Sequence, residues 1–150
     1  MPRDIPVGNG SMLVTFDSEY QIRDIYYPYV GSENHTIGHP CRMGIWVDGH
    51  YSWVDSEWQK TLTYKTDTLV TDVKAKNDRL KIELQMYDTV DFHLNIFVKE
   101  IIIRNLDGKD REIRLFFIMI FIFMAMRSVT RRIMTRIPCQ LFIINPSVIF

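Results

Sequence analysis

The run Leu80-Lys81-Ile82-Glu83-Leu84-Gln85-Met86 alternates apolar and polar residues without a break. Successive side chains of a β-strand leave on opposite faces, so such a run builds a strand with one buried and one wet face. Turn signals punctuate the chain on both sides of it: Gly8-Asn9-Gly10, Asp48-Gly49, Asn77-Asp78 and Asp107-Gly108. Asp48-Gly49 is the strongest, because both residues tolerate the positive φ that a two-residue hairpin turn requires. The pattern predicts strands over 11–16, 21–26, 42–47, 51–54, 69–76, 80–86, 95–105 and 112–117. The second is expected to pair with the first, and the later ones flank the three dipeptide turns. Short strands with turns every 8–12 residues indicate an all-β fold, an antiparallel sandwich or barrel. No 3.6-residue period is sustained before residue 113, and no internal repeat stands out beyond the hairpins.

Charge is split unevenly. Eighteen Lys and Arg balance eighteen Asp and Glu, yet all eighteen acids lie in 1–112 with thirteen of the basic residues. Residues 113–150 carry five Arg and no acid. The body has no basic stripe with interleaved aromatics, which argues against a nucleic-acid partner. The longest apolar run, Leu115 to Met126, is twelve residues long. A spanning helix needs about 18 or more, which argues against a membrane partner. Cys41 and Cys139 lack metal-ligand spacing and read as two free thiols of a reducing compartment. The N-terminus has no apolar stretch of a secretory signal, so a cytoplasmic location is expected. Asn9-Gly10-Ser11 and Asn34-His35-Thr36 then match the glycosylation sequon by chance.

Three groups of residues could carry chemistry. The segment 26–40 is too long for a hairpin turn and rich in aromatic and polar groups, the character of a functional loop. Within it His35 and His39 stand four apart beside Glu33, with His50 further on. Gly38 and Pro40 oppose the helix that would bring the two His together, so no metal is expected. Trp46, Trp53 and Trp58, with Tyr51 among them, form an aromatic hairpin. Aromatics dominate core burial, so the core is the first reading and a sugar platform on Trp46 and Trp53 the second. Asp91 and His93 would share a strand face, and an ion pair or hydrogen bond is their default. No phosphate-binding loop, Cys cluster or cofactor motif is present.

Several longer strings resemble a known family. They are Arg3-Asp4-Ile5-Pro6-Val7-Gly8-Asn9-Gly10-Ser11, Arg23-Asp24-Ile25-Tyr26-Tyr27-Pro28, Glu33-Asn34-His35-Thr36 and Gly38-His39-Pro40. Trp46-Val47-Asp48-Gly49, Asp67-Thr68-Leu69-Val70-Thr71-Asp72, Asp91-Phe92-His93 and Arg114-Leu115-Phe116-Phe117 continue the likeness. Together they resemble the N-terminal region of bacterial and archaeal glycoside hydrolase family 15 proteins, the glucoamylase-like and glucodextranase-like enzymes. The resemblance implies the first part of a large N-terminal β-sandwich. An (α/α)6 barrel would follow, in which one Glu acts as general acid and another as base for water. Neither Glu can be placed on this chain, so no catalytic residue is assigned and the fragment is expected to be inactive. The implied partners are an α-glucan or the barrel. Tyr27, Glu33, Asn34, His35 and His39 are candidates for reaching either, with Trp46 and Trp53 as candidate sugar contacts. No cofactor is implied.

The likeness stops after Phe117, where the family continues with a stretch like HHDFHIYG. Codon arithmetic accounts for the break. Phe116 onward can be written TTT TTC ATC ATG ATT TTC ATA TTT ATG GC. One added T turns this into TTT TTT CAT CAT GAT TTT CAT ATT TAT GGC, which reads FFHHDFHIYG. Methionine has a single codon, so the restored codons after Met119, Met124 and Met134 must encode Asp, Gly and Asp. Residues 118–150 therefore read as an out-of-frame tail, irregular or spuriously helical, behind a partial sandwich over 1–117. The five Arg of the tail, its richness in Met, Ile and Phe, and Cys139 carry no selected function on this reading. A partial sandwich also exposes strand edges that invite aggregation.

Overall fold

The computed structural model describes residues 5–31 and 33–120, together with the backbone of 143–149. Every regular element among them is a strand: β1 (Ile5–Gly8), β2 (Leu13–Phe16), β3 (Ile22–Tyr26), β4 (Arg42–Val47), β5 (His50–Trp53), β6 (Gln59–Tyr64), β7 (Thr71–Asn77), β8 (Ile82–Val90), β9 (Phe97–Asn105), β10 (Ile113–Ile118) and β11 (Ile143–Ile149). They form three sheets, ordered β1-β2-β3, β10-β4-β5 and β11-β9-β8-β7-β6. One apolar cluster joins all three. Val7, Val14 and Phe16 come from the first sheet, Ile45 and Val47 from the second, and Val73, Leu84, Met86 and Ile101 from the third. The expected all-β, partial sandwich is the observed architecture.

The alternation in 80–86 behaves as its period requires. Along β8 every second residue from Ile82 to Val90 is buried and the intervening ones are half-exposed. The expected hairpin at Asp48-Gly49 is present, with φ of 47° and 89° at the two residues. Both values are positive, the condition for a type I′ turn whose twist matches the flanking strands. A brace from outside the hairpin holds the turn. Arg111 Nε donates to Asp48 Oδ2 at 2.7 Å and the Glu112 amide to Asp48 Oδ1 at 3.2 Å. The Arg111 bond is the main cause that keeps the Asp48 carboxyl below its ordinary range.

A carboxylate with a depressed folded pKa stabilises the fold above its unfolded pKa, near 4, and loses that contribution as pH falls through the folded value. Asp48→Asn keeps a residue suited to positive φ and removes the charge. The variant is expected to lose less stability than the parent between pH 7 and pH 3, read as the shift in urea midpoint. Equal shifts in both proteins would refute the role of the Arg111 brace.

Several elements differ from the sequence expectation. β1 and β6 were not foreseen. β1 is a four-residue edge strand containing Pro6, which donates no ladder bond and is tolerated at an edge. β6, Gln-Lys-Thr-Leu-Thr-Tyr, has one half-buried apolar residue, Leu62, and pairs with β7 along all six positions. The segments 95–105 and 112–117 do not form a hairpin across Asp107-Gly108. β9 pairs with β8 and β10 with β4, so the connection carries the chain from one sheet to another. Its seven residues exceed a tight hairpin loop, and Arg111 ties its end to the Leu80 carbonyl at 2.6 Å. Residues 121–142, where most of the expected irregular tail falls, lie outside the described residues. Beyond them the tail departs from the irregular or helical expectation: it forms β11, which takes up the open edge of β9 in parallel, from Ile143 opposite Val98 to Ile149 opposite Arg104. Its edge position accommodates Pro146.

Candidate functional site

The loop after β3 is tied down along its length. It turns through a cis Tyr27-Pro28 bond and runs back beside β3, with bridges Tyr26–Asn34 and Ile22–Cys41. Asn34 is the central bracket. Its Oδ1 accepts from the amides of Ile25 (3.2 Å) and Thr36 (3.1 Å) and from Thr36 Oγ1 (2.9 Å). Its Nδ2 donates to Asp24 Oδ1 at 2.7 Å. The other Asp24 oxygen takes Thr15 Oγ1 at 2.9 Å and Arg23 Nε at 2.6 Å. His35 is buried, with Nε2 2.8 Å from the Tyr27 carbonyl and its own amide donating to the Ile25 carbonyl at 2.8 Å. Of the loop candidates, Asn34 thus spends its side chain on β3 and the loop, and His35 on the loop. Tyr27 and Glu33 are half-buried, and His39 is exposed. The amide of the other sequon residue, Asn9, is also engaged. It holds the carbonyls of Asp91 and Leu94 at 2.9 and 3.1 Å, joining the β1–β2 turn to the loop after β8.

The aromatic hairpin divides between two environments. Trp58 is buried, and its Nε1 donates to Ser52 Oγ at 3.1 Å. Trp46 and Trp53 face the other way. Met43, Ile45 and Val47 of β4 and Ser52 of β5 are buried, so Gly44, Trp46, Tyr51 and Trp53 take the outward phase. The core reading favoured by composition holds for Trp58, while Trp46 and Trp53 lie half-exposed on the outer face of β10-β4-β5. That face and the loop 27–40 belong to different sheets, so the candidate residues make two patches.

A buried polar cluster escaped the sequence analysis. Asp88 on β8 is directly opposite Lys99 on β9. Lys99 Nζ donates to Asp88 Oδ1 at 2.8 Å and to Tyr20 Oη at 2.6 Å. The Tyr20 hydroxyl and Thr71 Oγ1 both donate to Asp88 Oδ2, the latter at 2.9 Å. Burial pushes Lys99 below the ordinary lysine range against the opposing pull of Asp88. Burial, then the Asp88 charge, pushes the Tyr20 phenol well up. A signal was available: extending the alternation of 80–86 by two residues puts Asp88 on the buried face. Beside this cluster, Tyr20, Cys41, Lys99, Phe117 and Met119 line a cavity of about 20 Å³, room for one water. Burial raises the Cys41 thiol.

Asp91 and His93 do not form a side-chain pair here. Asp91 Oδ1 accepts the amides of Leu94 (2.7 Å) and His93 (2.9 Å), and these bonds hold its carboxyl low. The turn they make leaves Phe92 81% exposed. Among the described residues no group of three or more His, Cys, Asp and Glu could hold a metal ion. No helix among them is long and apolar enough to cross a membrane.

Layered, mostly antiparallel sheets around one core, with a clamped loop and an aromatic outer face, define a β-sandwich portion. Over 112 residues the chain is 29% identical to an uncharacterized glycosyl hydrolase of Methanocaldococcus jannaschii, which relates it to glycoside hydrolases. The match covers 74% of this chain but only 17% of that protein, so the chain spans about a sixth of its relative. No family model matches the chain, and no solved structure matches it.

Proposed function

We propose that the chain is the N-terminal sandwich portion of a cytoplasmic, glucoamylase-like hydrolase of glycoside hydrolase family 15 that acts on α-glucans. By itself it is non-catalytic. The observation that carries this reading is the 112-residue match to a glycosyl hydrolase, which covers 74% of this chain and only 17% of that protein. The loop 27–40 and the sandwich then serve a barrel encoded further on, with Glu33 and His39 as the polar groups still open to it.

The frame break after Phe117 is part of the same proposal. β10 supports it. Its outward phase runs Arg114, Phe116, Ile118 and, two residues beyond, Ile120, with Ile118 and Ile120 49% and 47% exposed. The restored frame places His and Asp at positions 118 and 120, polar residues on the wet side of the strand. Nucleotide sequencing across the Phe116-Phe117 codons and downstream is the direct check. The frame restored by one added T is expected to stay open, and a chain expressed with that T should release glucose from maltooligosaccharides while the 150-residue chain does not. A stop codon soon after position 150 in the restored frame, or glucose release by the 150-residue chain, would overturn the proposal.

A further inference from the structure

We propose that the outer face of β10-β4-β5 is a saccharide platform, on which a pyranose ring of a glucan chain sits over Tyr51 between Trp53 and Phe116. The proposal rests on the reading of the chain as part of a glucan hydrolase, and it assigns a binding role to a surface outside any catalytic barrel.

The platform is built by register and by one glycine. Gly44 on β4 is opposite Trp53 on β5 and opposite Phe116 on β10, so the three occupy one row across the sheet. The next row is Arg114, Trp46 and Tyr51. With no side chain on Gly44, the Tyr51 ring leans diagonally into the first row. A Cβ on Gly44 would come within 2.8 Å of Tyr51 Cζ and 3.0 Å of Cε2. The ring therefore lies on the sheet surface, and Tyr51 remains 42% exposed. Trp53 stands at 88° to it with centroids 5.0 Å apart, and Phe116 tilts at 60° at 6.1 Å. The result is a floor with an aromatic wall on each side. The walls stand on strands two apart in the sheet, about 10 Å, which suits a single sugar ring.

The surrounding chemistry selects a sugar. A pyranose has an apolar C–H face, which suits the negative face of an aromatic ring, and an edge of hydroxyls that seek fixed donors and acceptors. Both kinds of group border the floor. The Arg114 guanidinium stacks on Trp46 at 4.7 Å and is held by Glu112, with Nε 2.7 Å from Oε1. The Asp55 carboxylate is close enough to add to burial in raising the Tyr51 phenol. A second copy of this chain would bring the same Arg and carboxylates to the face and leave them desolvated. Every residue of the platform precedes position 118, so it is common to both reading frames.

The test is titration of the 150-residue chain with maltoheptaose, followed by tryptophan fluorescence and saturation-transfer NMR. Saturable binding is expected, weakened at least tenfold by Trp53→Ala and by Gly44→Ala. Gly44→Ala displaces the Tyr51 ring without opening the core, so it retains the parent's thermal midpoint within a few degrees and serves if Trp53→Ala misfolds. Tyr51→Phe keeps the floor and should keep most of the affinity. No binding by the parent, or binding indifferent to Gly44→Ala, overturns the platform. Concentration-dependent dimerisation abolished by Gly44→Ala also overturns it and gives the face to a second copy. Glucose release by the frame-restored chain without binding by the 150-residue chain sinks the platform alone. Binding at the platform with no hydrolysis by the frame-restored chain sinks the enzymatic reading alone.

Discussion

Asp88→Ala is expected to lower the thermal midpoint by about 10–20 °C, corresponding to about 3–5 kcal/mol in a domain of this size. The magnitude comes from what the substitution leaves behind. Asp88 is fully buried and, among the described residues, is the carboxylate paired with Lys99, whose side chain is 5% exposed. Without Asp88, an ammonium would be left in the core with a phenol as its partner. The paired substitution separates this cause from simple loss of volume. Asp88→Ala combined with Lys99→Met removes the unpaired charge together with its partner. It is expected to recover most of the loss, because apolar residues replace a buried ion pair at little net cost. If the double variant melts no higher than Asp88→Ala, unpaired charge is not the cause.

The same cluster imposes a pH dependence with two opposing signs. Lys99 is held below its unfolded value near 10.4, so just below that pH the unfolded chain binds more protons and stability rises with pH. The Tyr20 phenol is held above its unfolded value near 10, so above that pH the unfolded chain sheds a proton that the folded chain keeps, and stability falls. Lys99→Met should remove the rise and Tyr20→Phe the fall, as read from melting midpoints across the alkaline range.

Asn34→Ala is expected to destabilise the chain by about 2–4 kcal/mol and to open the 27–40 loop. Its four hydrogen bonds serve groups with little access to water. Thr36 is fully buried, Asp24 is 8% exposed, and the Ile25 amide lies beneath the loop. Stranding such groups costs about 1–3 kcal/mol each, and the contributions overlap because one side chain supplies them all. Amide exchange should show the effect locally: faster exchange at His35, Thr36 and His39, with β8 and β9 protected as before. Asn34→Asp gives a second reading. It keeps the acceptor and sets a carboxylate against Asp24, so its deficit should be larger at pH 7 than at pH 4. Uniform acceleration of exchange across the chain would show that Asn34 supports the global fold more than the loop.

How far the site was legible depends on which residues are asked about. The loop was found because fifteen polar and aromatic residues cannot form a hairpin turn, yet no rule of spacing distinguishes His39, which is exposed, from His35, which is buried against the Tyr27 carbonyl. Trp46 and Trp58 look alike in sequence, yet Trp46 lies on the outward face of β4 and Trp58 is buried in the bend before β6. Asp88 and Lys99 are eleven residues apart on neighbouring strands, and their encounter depends on the β8–β9 register. The Asn34 bracket is half legible: its bonds to Thr36 make a local Asx turn, while those to Asp24 and the Ile25 amide form only when β3 and the loop run side by side.

By itself the sequence determined the alternation of faces along β8, the I′ turn at Asp48-Gly49 and the bounds of β4. These follow from period two and from local φ preferences, neither of which needs a distant residue. The tertiary structure alone decided that β10 joins β4 instead of β9, that Trp53 and Tyr51 face outward, and that a charged pair sits inside. Alternation separates two faces without saying which of them is covered. That choice is made when three sheets close on one core and the burial of Ile45, Val47, Leu84 and Ile101 outweighs any local preference.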